Sequence, residues 1–239
     1  MTPDHIDVFG SYDELADEYY DARLHPTCAN LREASSVILR DWLRDFDENE
    51  EQTVVCEIGA GRSVLTELAA PTWSAACLIL LDSSPRMLSQ TLDPRGSKVV
   101  GDATAIPLVT GSVDVLVAVL GDPYNTPDFW SEAARVCRGS GTVMYTTPSY
   151  QWAHSFRSSE DAPFECAEFA TASGAVLVPS LVHDVDDQRD MARGAKMSLT
   201  EYREVGTSVI AGPISSKFDL AERSGLPVVA GYRFSRDTR

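Results

Sequence analysis

Four runs of this chain have no polar face. They are "TVVCEI" (53–58), "CLILL" (77–81), "SVDVLVAVL" (112–120) and "GTVMYTT" (141–147). A strand with water on one side alternates apolar and polar residues, whereas a strand apolar throughout must be covered on both sides. Helical patterns separate these runs. "SVLTELAA" (63–70) stops at Pro71, and "SSPRMLSQTL" (83–92) carries a serine cap with Pro85 near its first turn. "KVV" (98–100) predicts a short strand. "TPDFWSEAARVCRG" (126–139) predicts a helix with Thr126 as N-cap, Pro127 at the first helical position, Asp128 in the first turn and Gly139 at the C-terminal cap. Apolar strands alternating with helices imply a doubly wound α/β domain whose mostly parallel sheet is covered on both faces.

Two segments depart from this alternation. Residues 11–46 predict two helices before the first strand, joined to it by the polar "FDENEEQ" (46–52). Beyond Thr147 an inserted β-hairpin region is expected near 160–184, turning around Ala172-Ser173-Gly174. "DVDDQRDMARG" (184–194) reads as a charged, solvated loop. "SLTEYREVG" (198–206) and "SSKFDLAERSG" (215–225) read as helices, and "PVVAGYRF" (227–234) as a last strand.

Charge narrows the partners. The 239 residues hold 36 acids against 20 bases, a formal charge of −16, with no cluster of Lys or Arg. Nucleic acid and anionic membrane surfaces are therefore disfavoured. No apolar run reaches the length of a membrane-spanning helix, and "MTPDHIDVFG" is not a secretory signal. Cys28, Cys56, Cys77, Cys137 and Cys166 are odd in number and far apart, which fits neither a zinc site nor a disulfide framework. Free thiols point to a cytoplasmic protein.

The first strand runs into "CEIGAGRSVL" (56–65). Glycines between strand and helix let backbone approach a ligand at a helix N-terminus. The third glycine of the dinucleotide fingerprint is replaced by Val64, so a pyrophosphate is not indicated. Asp82 ends the second strand about 20 residues on, where a carboxylate can accept ribose hydroxyls. Asp102 follows the third strand, where a carboxylate can meet an adenine amino group. Singly, each has a plainer reading: a tight turn for Gly59 and Gly61, a cap for Asp82, a turn residue for Asp102, a solvated strand end for Glu57. Order and spacing carry the inference.

The blocks "EIGAGRS", "LLDSSPRML", "GDATAIPL" and "SVDVLVAVLGDPYNTPDFWSEAARVCRGSGTVMYTTP" resemble the class I S-adenosylmethionine-dependent methyltransferases over residues 53–148. "YDELADEYYDARLHPT" is similar to the helical lid preceding that core in many members. The resemblance implies S-adenosyl-L-methionine as cofactor and S-adenosyl-L-homocysteine as product. It places Glu57, Gly59, Ala60 and Gly61 at the methionine part, Asp82 and Ser83 at the ribose, Asp102 and Ala103 at the adenine, and Leu120 to Asp122 near the methyl group. Tyr20 and Tyr12 are expected to cover the cofactor. One domain, 1–239, would comprise a lid (1–50), a cofactor-binding core (51–150) and an acceptor-side and C-terminal part (151–239).

"GDPYN" (121–125) resembles, one proline short, the motif of methylases acting on planar amines. Asp122, Tyr124 and Asn125 are thus candidates to hold an acceptor, against the reading of a turn leading into Thr126. His25 on the lid and His154 with Trp152 after the fifth strand are further candidates. Arg23 or Arg32 are candidates to pair with a carboxylate of cofactor or acceptor. The expected function is methyl transfer to a small-molecule acceptor. A protein or RNA methyltransferase, a non-catalytic methyltransferase-like subunit and a nicotinamide-dependent oxidoreductase are the rival readings.

Overall fold

The expected strands lie side by side in the computed structural model, which describes residues 8–44, 53–68, 77–156, 166–172 and 174–237. β1 (Val54–Ile58), β2 (Cys77–Asp82), β3 (Gly96–Val100), β4 (Val113–Ala118) and β5 (Cys137–Pro148) pair in parallel. β6 (Cys166–Thr171) and β7 (Gly174–Pro179) form a separate antiparallel hairpin. β8 (Met197–Val205) and β9 (Val229–Arg236) complete a seven-stranded sheet of order β3-β2-β1-β4-β5-β9-β8, with β9 antiparallel to both neighbours. Strand order reverses between β1 and β4. A doubly wound sheet opens a crevice at such a point, beyond the carboxyl ends of its strands.

Alternate residues of the central strands feed two cores. Val55, Val115, Val117 and Met144 face α2 (Pro26–Leu43), which buries Leu31, Ala34, Ile38 and Trp42 at helical spacing. Cys56, Ile58, Leu116 and Val143 face α5 (Pro127–Val136), which buries Phe129, Trp130 and Ala133. A third, smaller cluster stands apart from the sheet. Leu15 of α1 (Val8–Leu15) is buried with Val176 and Val178 of β7, and Tyr12, Tyr19, Ala167 and Phe169 pack around them.

α3 (Val64–Leu68) and α4 (Pro85–Ser89) follow β1 and β2, and Ser84 caps α4 by accepting from the Met87 amide. α6 (Tyr150–Phe156) follows β5, and α8 (Asp219–Ser224) precedes β9. Among the described residues no helix is long and apolar enough to cross a membrane.

Three expectations fail. The charged stretch after His183 is helix α7 (Val185–Gly194), not a loop. Asp184 caps it, and only Gln188 and Ala192 are buried, so four residues separate its two inward side chains and little apolar periodicity shows. "SLTEYREVG" is strand β8, not a helix. Its half-buried positions include Glu201 and Arg203, which pair with each other, so the period-2 signal is hidden behind charge. Gly139 does not cap α5, because that helix ends at Val136 and the chain enters β5 at Cys137.

Candidate active site

β1 ends in a loop that glycine alone accommodates well. Gly59 and Gly61 have φ of +63° and +44°. A Cβ on Gly61 would lie 2.0 Å from the Tyr20 hydroxyl, and one on Gly59 2.9 Å from that of Tyr124.

Glu57, just before the loop, is only 1% exposed rather than solvated. Its carboxylate accepts hydrogen bonds from the Val64 and Leu65 amides at 2.9 and 3.3 Å, and from the Ser63 hydroxyl. It thereby satisfies the open N-terminus of α3 from a neighbouring strand. Burial raises its pKa, against the hydrogen bonds that favour the anion. Ala60 is buried, its amide donating to the Leu81 carbonyl at 3.0 Å.

Asp82 ties the loop to α4. One oxygen accepts from the Gly61 amide and the other from the Ser84 amide, each at 2.9 Å. Burial pushes its pKa up to about 6, opposed by those amides. Asp102 accepts from the amide and hydroxyl of Thr104 through one oxygen, at 2.7 and 2.8 Å. Its other oxygen accepts no hydrogen bond among the described residues.

At the end of β4, Leu120 has φ +54°, an unusual value for a branched side chain. Thr146 of β5 holds it there, its hydroxyl accepting from the Leu120 amide at 3.0 Å and its carbonyl from the Gly121 amide at 2.9 Å. The next three residues form a 3-10 turn, Asp122–Tyr124. Tyr124 donates its hydroxyl to the Ile58 carbonyl at 2.9 Å, and its ring meets Phe129 edge-on. It therefore braces the glycine loop from below.

These elements surround a cavity of about 470 Å³. Its walls include Glu57, Gly59, Asp82, Ser83, Asp102, Ala103, Leu120 and Tyr124, and Tyr12, Tyr19, Tyr20 and Cys28 face it from the N-terminal segment. Tyr20 also accepts a hydrogen bond from the Arg62 amide at 2.7 Å. α1 and the turn after it are latched to the start of α4 by the Ser84 hydroxyl on Asp13 and by Arg86 on Asp17 at 2.6 Å.

Several candidates lie elsewhere. Asn125 is buried away from the cavity, its amide donating to the Leu181 carbonyl at 3.1 Å and to Gln188 at 2.8 Å. Its own oxygen accepts from the Trp130 indole at 3.0 Å. Asp122 is not in the cavity wall. Its carboxylate accepts from the Ser180 hydroxyl at 2.6 Å and its carbonyl from the Leu181 amide at 2.8 Å, fastening the exit of β7 to the turn after β4. His25 sits at the N-cap of α2 with its ring 5.4 Å from Phe169, buried and outside the cavity wall, and burial lowers its pKa. His154 lies on α6 against Tyr150, with ring centroids 4.0 Å apart, and Trp152 is packed on Phe218. Arg23 pairs with its neighbour Asp21, whereas Arg32 reaches the cavity.

The sequence reading missed Tyr19, Cys28 and Met87 in the wall. Tyr19 adjoins Tyr20 and was visible as an aromatic. Cys28 and Met87 carry no local signal, since small or flexible apolar residues look alike in core and cavity.

The Asn125 network makes a testable distinction. Asn125→Ala should destabilise the protein by about 2 kcal/mol, because it leaves the buried Trp130 N–H and Leu181 carbonyl unpaired. Chemical denaturation reads the loss, and ligand affinity in the cavity should stay within about twofold. A variant as stable as the parent would show that the network carries no weight.

Comparison with known proteins follows the same lines. Residues 56–145 match the family described as "Methyltransferase domain". A sequence search among curated proteins gives no match. Among solved structures, the chain is similar to one described as a complex between the Haloferax volcanii Trm112 methyltransferase activator and a methyltransferase, with a TM-score of 0.67 at 17% identity over 94% of this chain and 96% of that one. An S-adenosylmethionine-dependent methyltransferase from Listeria monocytogenes gives 0.61 at 11% identity, over 87% and 99%. The geranyl diphosphate C-methyltransferase of Streptomyces coelicolor A3(2), solved with S-adenosyl-L-homocysteine, gives 0.57 at 14% identity, over 84% and 76%.

Proposed function

We infer that the chain, a class I S-adenosylmethionine-dependent methyltransferase, moves the methyl group of its cofactor to a small-molecule acceptor. The observation carrying the acceptor class is the roof. Tyr12, Tyr19 and Tyr20 line the cavity from the N-terminal segment and cover part of it, and the cluster around Leu15, Val176 and Val178 joins that segment to the hairpin. A partly covered pocket of this size suits a small molecule better than a protein or RNA chain, which needs an extended groove. The excess of acids over bases argues the same way.

The donor groups in the cavity wall support this reading of the cofactor site. The Gly59 cradle would take the methionine part, with Glu57 fixing α3 beneath it. Asp82 and Ser83 would take the ribose, and Asp102 with Ala103 the adenine. Leu120 would border the methyl group. Bound there, S-adenosylmethionine supplies an electrophilic methyl carbon on a sulfonium.

The leaving group is good, so the chain's task is to align the acceptor and exclude water. The tyrosine roof serves the second purpose. Tyr124, on the wall beside Leu120, is the residue best placed to orient an acceptor. Asp122, His25 and His154 stand outside the wall, so a direct catalytic role for them requires the roof to rearrange.

The test is transfer of labelled methyl groups. Protein, labelled S-adenosylmethionine and cell extract are incubated, and the products are separated by size. Label is expected in the small-molecule fraction. Label on protein or RNA would overturn the acceptor class. A second reading draws on the complex between the Haloferax volcanii activator and a methyltransferase. In it the chain works with an activator protein, and purified chain alone should then be inactive while extract restores turnover.

A further inference from the structure

We propose that the acceptor carries an anionic group, a carboxylate or a phosphate, and that a groove behind Tyr20 receives it between Arg32, Arg40 and Arg62. The proposal rests on the small-molecule reading above. The groove is a second cavity of about 550 Å³, and it shares Tyr19, Tyr20, Cys28 and Arg32 with the first.

Its charge is unusual for this chain. Arg32, Ser36 and Arg40 recur every fourth residue of α2 and so line one face of that helix. Arg62 comes from the glycine loop side. Two acids share the groove, and both are already engaged. Glu33 accepts from the Ala211 amide at 2.8 Å. The single Glu67 carboxylate serves both Arg32 and Arg62, each at 3.1 Å. Arg40 pairs with no acid among the described residues, so three guanidiniums face two carboxylates. A protein with 36 acids and 20 bases leaves a positive excess here. A cleft of one sign concentrates ligands of the other.

Tyr20 is the partition. Its ring lies beneath the guanidiniums of Arg32 and Arg62, whose central carbons are 5.4 and 4.8 Å from the ring centroid. Glu67 holds Arg32 and Arg62 against the partition, and Arg32 also donates to the Arg62 carbonyl. Arg40 is thus the guanidinium with no acid partner among the described residues, and two parallel N–H donors of that kind suit a carboxylate or phosphate. Space argues for the same route. Ligand cavities of about 300–1,000 Å³ take one drug-sized molecule. The first cavity, at about 470 Å³, is near the lower end of that range. A cofactor lying there leaves the acceptor to extend past Tyr19 and Tyr20. The apolar part of the acceptor would rest against Tyr12, Tyr19 and Tyr124, with its anion beyond.

Arg32 borders both cavities and would respond to cofactor and acceptor alike. Arg40 lines only the groove, so Arg40→Gln isolates the acceptor side.

Calorimetry tests this in two stages. S-adenosyl-L-homocysteine is titrated first, and the loaded protein is then titrated with decanoate, decyl phosphate and decanamide. At least one anion should bind about tenfold or more tightly than the neutral amide, the size of one charge-assisted contact. Arg40→Gln should remove most of that preference while the affinity for S-adenosyl-L-homocysteine is unchanged. Preference for decanoate or for decyl phosphate tells a carboxylate acceptor from a phosphate one. Equal binding of the amide, no binding of either anion to the loaded protein, or an intact preference in Arg40→Gln would overturn the proposal. Absence of S-adenosyl-L-homocysteine binding in the first stage would instead strike the cofactor site, and this proposal with it.

Discussion

Gly61→Val should weaken binding of S-adenosyl-L-homocysteine by more than about 100-fold, with the protein still folded. The first contribution is backbone strain, since φ at this position is +44° and a left-handed conformation costs an L-residue about 1–2 kcal/mol. The second is a collision. The new Cβ would stand 2.0 Å from the Tyr20 hydroxyl, which is itself held by the Arg62 amide at 2.7 Å. The loop must therefore shift, and the Gly61 amide bond to Asp82 and the Gly61 carbonyl bond from Thr91 shift with it. Together these effects reach roughly 3 kcal/mol, or about 100-fold. Calorimetry reads the affinity and circular dichroism the fold. Gly61→Ala combined with Tyr20→Phe should bind better than Gly61→Ala alone, because the colliding oxygen is gone. Coupling of that kind between contacting residues is what a double-mutant cycle detects. Normal affinity in Gly61→Val would mean that the loop is only a turn.

Asp82 should produce the next largest effect, and a pH signature. A carboxylate accepting ribose hydroxyls makes charge-assisted bonds worth about 1.5–3 kcal/mol, so Asp82→Ala should weaken cofactor-product binding about 10- to 100-fold near pH 8. The pKa of about 6 adds the second observable. Above pH 7 the group is ionised and affinity should be flat. As pH falls through about 6 the free protein's Asp82 takes up a proton, and affinity should fall with it. Asp82→Asn should remove this dependence.

Stability of the ligand-free protein should run the other way. The folded pKa lies above the ordinary 3.8, so folding favours the protonated form. The stability contributed by Asp82 is fully present below the unfolded pKa and is lost as pH rises through about 6. Titrations and melts from pH 5 to 8, compared with Asp82→Asn, separate the two trends. A pH-independent affinity in the parent would remove Asp82 from the site.

Local chemistry was legible where it is also sufficient. Pro127 and Thr126 start α5 in any surroundings, and an unbroken apolar run such as "SVDVLVAVL" has to be a covered strand. β8 and α7 were misread because their inward faces carry Glu201 and Arg203, which pair with each other and, through Arg203, with Asp41, and Gln188, which pairs with Asn125.

The amino-acid order by itself determined the parallel core, the glycine loop and the acids at the strand ends, because each depends on a few adjacent residues and the period of a strand or helix. Only the tertiary structure decided which neighbours face the cavity. Tyr124 and Asn125 are consecutive, yet one lines the cavity and the other locks α5 to α7. Successive residues leaving a tight turn point in different directions, and which direction is inward depends on what packs there. The roof depends on distance in the same sense. Leu15 meets Val176 and Val178 across more than half the chain, and no local pattern encodes a contact whose partners lie that far apart in sequence.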